Sequence, residues 1–259
     1  MKKVVFLPYL VGFLLILSVT NALSQGWVIT EADNSMTYIS DGWIKSITSD
    51  EEMQDITFMF NANKDIIIMV DDANERYAKG SGEDYCNAMK SMRDEMNKKM
   101  PPEQLKMMED MINEQKAKPI PKVTVEKGDG EEIAGFQTEK YAVYADGELF
   151  EEKWITTDQS LKNILDIVTI TQELTSKIVK CGVPDESFLK SSPEFSPEYK
   201  KLEIAGIELK SIRYEFGSED LQTDVISLEK EDIDSSEFEV PDGYSELSFK
   251  DIILAMSGM

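Results

Sequence analysis

Half of the chain's 14 methionines fall in one short stretch, as Met89, Met92, Met96, Met100, Met107, Met108 and Met111. A thioether is flexible and polarizable, so a surface lined with such side chains adapts to irregular apolar ligands or to a partner helix. Thioethers also select the soft ion Cu(I), but copper sites built on methionine usually draw on His or Cys as well. The chain has no His. Ordinary helix packing is therefore the first reading of these residues, contact with an apolar ligand or partner the second, and copper a distant third.

The lack of His excludes Ser-His-Asp and Cys-His triads and His-ligated zinc. A carboxylate pair could hydrolyse glycosides, but among 50 acids only spatial separation would identify it. Lys79-Gly80-Ser81-Gly82 lacks P-loop spacing, and Gly128-Asp129-Gly130 lacks the remainder of a dinucleotide fingerprint; both read as turns. Asp71-Asp72-Ala73-Asn74-Glu75 and Asp129-Gly130-Glu131-Glu132 gather oxygen ligands without matching a calcium-binding EF-hand loop, so solvated turns are expected. Trp27, Trp43 and Trp154 sit in strand-like text and suit a core or cavity lining better than a stacking platform. These residues assign no catalytic group, metal or cofactor, and a non-enzymatic protein is expected.

Cys86 and Cys181 are the only cysteines. In an oxidising compartment they permit one intramolecular bridge, which is expected, and without a CxxC pair they do not suggest redox catalysis. The N-terminus points to that compartment. Lys2 and Lys3, an apolar run from Val4 to Val19 broken by Pro8, Gly12 and Ser18, and the small residues of Ala22-Leu23-Ser24 compose a three-part secretory signal. A retained anchor is disfavoured because Pro8 and Gly12 weaken the helix and the unbroken run is short of the roughly 20 residues that span a bilayer. No thiol lies near the cleavage point to carry a lipid. Residues 1–24 are thus expected to be removed, leaving 25–259 as a single exported domain, periplasmic or extracellular, with no stable membrane anchor.

The net charge of −23 becomes still more negative when Lys2 and Lys3 leave with the signal. Such a field repels nucleic-acid phosphates and anionic lipid headgroups, so no nucleic-acid partner is expected; it is compatible with cations or basic partners, and a lipid or other apolar ligand or a protein partner is expected. Acidic pairs scattered between apolar runs read as a solvated surface.

These residues must be positioned by elements whose periods are visible. From Trp27 to Lys79, runs such as Ile56–Phe60 and Ile66–Val70 separated by Asp, Asn and Gly predict an antiparallel meander. Met spacings of three and four predict a helix over Glu83–Lys99, stopped by Pro101-Pro102, and a second helix follows with Leu105, Met108, Met111 and Ile112 along one face. The pair is expected to form a helical hairpin. Strand returns at Val123–Val125, then over Ile133–Ala145 and Glu148–Thr156, joined at Asp146-Gly147, the best short hairpin signal in the chain. Ser160–Lys180 is expected as a third helix behind a Thr157 or Asp158 cap, with strand as the minority alternative for its β-branched centre. Leu202–Phe216 and Thr223–Leu228 complete the predicted strands. The class is α+β rather than βαβ.

Three stretches, Met100-Pro101-Pro102-Glu103-Gln104 with Met107-Met108, Ile133-Ala134-Gly135-Phe136 through Tyr141 to Glu152-Lys153-Trp154-Ile155-Thr156, and Phe238-Glu239-Val240-Pro241-Asp242-Gly243-Tyr244, resemble an exported bacterial family without assigned function, domain-of-unknown-function family 4412. That family is similar in plan to the periplasmic lipoprotein-carrier (LolA/LolB-like) fold. The resemblance implies a strongly curved antiparallel β-sheet, a half-barrel, with the Met-rich helical hairpin and one further helix on its concave side. It supplies no catalytic residues. The function it implies is a non-catalytic binding protein for an apolar ligand or a hydrophobic segment of a partner, with the seven methionines as lining. A structural or interaction module with a closed core and acidic outer surface is the alternative, and a His-independent hydrolase is the remote one.

Overall fold

The computed structural model describes residues 23–48, 56–167, 169, 181, 191–215 and 218–256. The expected signal up to residue 22 and most of the expected helix Ser160–Lys180 lie outside the described residues. No described helix is long and apolar enough to cross a membrane.

The chain is α+β, built on one open sheet of twelve strands, mostly antiparallel. Its first half is the predicted meander: β1 (Leu23–Glu31), β2 (Met36–Ser40), β3 (Trp43–Ile47), β4 (Ile56–Asn61), β5 (Ile66–Asp71) and β6 (Arg76–Gly80) lie side by side in chain order, and the short β14 (Ser245–Glu246) pairs parallel with β6 at the edge. β7 (Val123–Gly128), β10 (Glu139–Ala145), β11 (Glu148–Thr156) and β12 (Ile207–Glu215) form the second half. β13 (Ser218–Asp234) joins the halves, pairing with β12 through its first residues and with β1 through the rest. This strand is far longer than the predicted Thr223–Leu228, because pairing with β12 holds its first residues and pairing with β1 keeps its charged Glu229–Asp234 end extended where composition alone gives no strand signal.

Two further predictions are corrected. Ile133–Ala145 is not one strand: Ala134 (φ 49°) and Gly135 (φ 83°) take left-handed conformations and fold β8 (Glu132–Ile133) back on β9 (Phe136–Gln137) before β10 begins. Leu202 is not in a strand either. Ser196 accepts a hydrogen bond from the Tyr199 amide and Pro197 occupies the first turn, so the local start signals run as a helix to Glu203. The Asp146-Gly147 hairpin forms between β10 and β11, with both residues at positive φ (52° and 89°).

Helix α1 (Gly82–Lys99) opens with a capping box in which Ser81 and Asp84 satisfy each other's backbone amides. α2 (Pro102–Ala117) follows, but it has no substantial contact with another described element. The two helices are consecutive without side-by-side packing, so the expected closed hairpin is not what the described elements form. α3 (Pro197–Glu203) and α4 (Phe249–Met256) are shorter.

Both sheet faces are covered. On one face Ile67, Met69 and Ala78 pack under Tyr85 of α1 and Phe249 and Ile252 of α4. The same face continues through Phe60 to Ile39, Ile44, Trp154 and Leu209, which pack under Leu161 and Ile164 of the segment that turns helical over 162–167. Burial of Ile252 and Phe249 contributes about 1.5–3 kcal/mol each. Cys86 of α1 is disulfide-bonded to Cys181, at a sequence separation of 95. The other face carries three smaller clusters, covered by the segment 235–244 over the first half and by α3 over the second.

Candidate functional site

Strand alternation places Trp43, Ile66, Ile68, Tyr77 and Lys79 on the face away from α1 and α4. After β13, Asp234 caps a single helical turn at Ser235–Phe238, and this turn drops Phe238 onto Trp43 with ring centroids 5.9 Å apart and planes 16° from parallel. Val240 and Tyr244 then pack on Met59, Ile68 and Val70. The Tyr244 hydroxyl donates to Asp72 at 3.0 Å and so pins the far end of the segment. Lys45 braces its near end through Glu237 at 2.9 Å.

Between this segment and the sheet lies a groove of about 500 Å³, with Trp43, Ile66, Ile68, Tyr77, Phe238 and Val240 as apolar wall and floor and Lys64, Lys79, Ser235 and Glu239 at its margin. The volume is in the range of small-molecule sites, about 300–1,000 Å³. Tyr77 is held by its hydroxyl, which donates to Glu246 at 3.1 Å. Neither Lys64 nor Lys79 enters an ion pair among the described residues.

The second half of the same face is closed. Here β11 and β12 bring Glu151, Lys153, Glu208 and Arg213 under α3. Lys153 Nζ lies 2.5 Å from Glu208 and 3.5 Å from Glu151, and sits 4.7 Å from the centre of the Tyr199 ring. The Tyr199 hydroxyl donates to Glu151 at 2.5 Å, and Arg213 bridges Glu151 at 3.5 Å and Glu194 at 2.7 Å. Arg213 Nε is buried without a hydrogen-bond partner. Burial by itself would lower the Lys153 pKa, but Glu208, Tyr199 and Glu151 outweigh it and hold the ammonium well above its ordinary range. Burial first, then Glu151, pushes the Tyr199 phenol upward against Lys153, and burial also raises Glu151. A lysine and a tyrosine locked in their protonated forms are poor bases and nucleophiles at neutral pH. This cluster clamps α3 to the sheet.

A smaller cavity of about 200 Å³ lies where β11 meets the following turn, between Leu161, Leu165, Ala205 and Ile207 beneath a polar rim that includes Asp158 and Lys162. It is below the usual size of a ligand pocket.

The seven methionines are not brought together. Met92 is buried, Met89, Met100 and Met108 are half-buried, and Met96, Met107 and Met111 are exposed at 44%, 64% and 59%. None lines the groove or the smaller cavity. The Asp71–Glu75 turn is internally satisfied: Asp71 accepts from the Asn74 backbone and side chain and from Arg76, and Asp72 accepts from Thr57. No cluster among the described residues has the acids, cysteines or histidines to hold a metal ion. Trp154 is core, flanked by Lys140 and Lys210 at 4.7 Å from its ring centre, and Trp27 packs on the same cluster. Sequence reasoning missed Lys64, Tyr77, Lys79 and Phe238. The signal for two of them was present: Tyr77 and Lys79 stand two apart in a strand and must share a face.

No family model matches the chain, and no curated protein matches it.

Proposed function

We propose that this chain is an exported, non-catalytic binding protein that holds an apolar ligand in the groove between strands β3, β5 and β6 and the segment 235–244. The observation that carries this reading is an aromatic and aliphatic groove left open beside an otherwise covered sheet, with a stacked Trp43–Phe238 pair at its wall. Trp43 also supplies the test. An uncharged environment-sensitive dye such as N-phenyl-1-naphthylamine should brighten on the purified protein and shift Trp emission, and Trp43→Ala should abolish most of the binding while circular dichroism shows retained fold. Dye binding unaffected by Trp43→Ala, or no binding at all, overturns the reading.

Kinship with the exported family and the lipoprotein-carrier plan belongs to the same proposal, as does the half-barrel curvature that plan implies. Its support is indirect: open twisted sheets seldom exceed about ten strands without curling, and four strand pairs here carry register shifts of the kind that bend a sheet. Helices α1 and α4 and the 162–167 turn on a common face agree with a concave side. The methionines take a separate place in this proposal, as a surface for a protein partner. What favours that second reading is α2, whose Leu105, Met108 and Ile112 are only half-buried while Met107 and Met111 stand exposed. Crosslinking from Met107→Cys in the host's own extract would reveal such a partner, and crosslinks found equally from a distant Lys230→Cys would remove it.

A further inference from the structure

We infer that the groove's ligand is a single-chain amphiphile with one negative charge, a long-chain carboxylate, whose head lies between Lys64 and Lys79; this rests on the groove being a ligand site. The argument begins with scarcity. The chain carries 27 basic residues against 50 acidic ones, and many of the cations near its sheet are spent on acids: Lys45 on Glu237, Lys140 on Glu152, Lys153 on Glu208, Lys210 on Glu131, Arg213 on Glu194. Lys64 and Lys79, like other exposed lysines such as Lys122 and Lys230, enter no ion pair among the described residues; what sets them apart is their place in the groove.

Geometry sets the order of head and tail. Lys79 pairs with Ile68 of β5 and Lys64 lies two residues before Ile66, and both lysines line the groove together with Ile66 and Ile68. Trp43, Phe238 and Val240 enclose the apolar remainder. A head of opposite sign at the two lysines places its carbon chain against the stacked rings. Two observations select a monoanion. Glu239 stands at the groove's edge, and the whole chain has a net charge of −23, so a second negative charge on the ligand meets repulsion that a single one escapes in part. The volume of about 500 Å³ suits one chain rather than the two of a diacyl lipid.

The experiment compares lauric acid, dodecanol and a lysophosphatidic acid of equal chain length as competitors for the uncharged dye at pH 8. It uses the parent protein, Lys64→Gln, Lys79→Gln and the double variant, with Lys230→Gln as a control for total charge. Each groove lysine should contribute roughly two- to fivefold in affinity for the acid and nothing for the alcohol, the range expected of exposed charge pairs. Raising the salt to about 1 M, where the Debye length is about 3 Å, should weaken the acid and spare the alcohol. Equal affinity for acid and alcohol, unchanged in the double variant but lost in Trp43→Ala, overturns the head-group assignment and leaves the groove standing. Preference for the phosphate head overturns the monoanion assignment. If neither dye nor amphiphile binds, this inference falls together with the reading beneath it.

Discussion

The two halves of one sheet face use similar parts to opposite ends. In the second half Lys153, Phe150 and Glu151 are pressed under Tyr199 of α3, with the lysine side chain 8% exposed and every formal charge in the cluster facing an opposite one. In the first half Lys79, Tyr77 and Trp43 stand beside the Phe238-bearing segment that covers only part of the sheet, and the lysines face solvent and a groove. A lysine is structural where its carboxylate is built in and the cover is complete. Where neither holds, its charge stays in solvent at the edge of the groove.

The largest effect that can break this contrast comes from exchanging the lysines. Lys153→Ala strands Glu208 and Glu151 without their cation and should cost about 3–5 kcal/mol in urea unfolding, as breaking a buried pair does; a cost below about 1 kcal/mol would mean the second half is not closed by its charges. Reduction of the Cys86–Cys181 bridge comes next. The bridge spans a sequence separation of 95 and anchors α1, so its loss should cost about 2–5 kcal/mol and lower the hydrogen-exchange protection of α1 most. Unchanged exchange in α1 would show that α4 alone holds it.

Acid separates the halves by sign. At Asp71, in the first half, burial would raise the pKa, but hydrogen bonds from Asn74 and the charge of Arg76 bring it below the usual carboxylate value. The stability this gives is present above the unfolded carboxylate pKa and is lost as pH falls through the lowered one. Glu151 in the second half is raised by burial, so its contribution runs the other way: it favours the folded state below the unfolded pKa and loses that advantage as pH rises through the raised one. Hydrogen exchange on acidification should therefore loosen the β5–β6 turn before β11, and Arg76→Met should remove much of the difference. The smallest effect is the most direct comparison. Lys79→Gln should change stability by less than about 0.5 kcal/mol, the usual range for a surface position, while altering acid-ligand affinity.

Much of the fold was legible because it is local. The β1–β6 meander, the Asp146-Gly147 hairpin, the Pro101-Pro102 stop and the strand-to-helix switch at Ser81 each follow from periodicity or turn chemistry within a few residues. The misses were also physical. The β-rich text around Ala134-Gly135 masks the break there, and Leu202 reads as strand because the apolar run downstream outweighs its Ser196-Pro197 start signal. The methionine stripe was legible as a helix but not as a site, since periodicity shows which residues share a face without showing what covers it.

By itself the sequence determined the α+β class, the acidic surface, the absence of His chemistry and the pair of residues that could form a disulfide. Those depend on composition and on neighbours along the chain. Only the tertiary structure decided that Trp43, Tyr77, Lys79 and Phe238 meet in one groove while Lys153 is sealed under Tyr199. Strand register and a covering segment from the far end of the chain bring those residues together, and neither leaves a mark on the residues it joins.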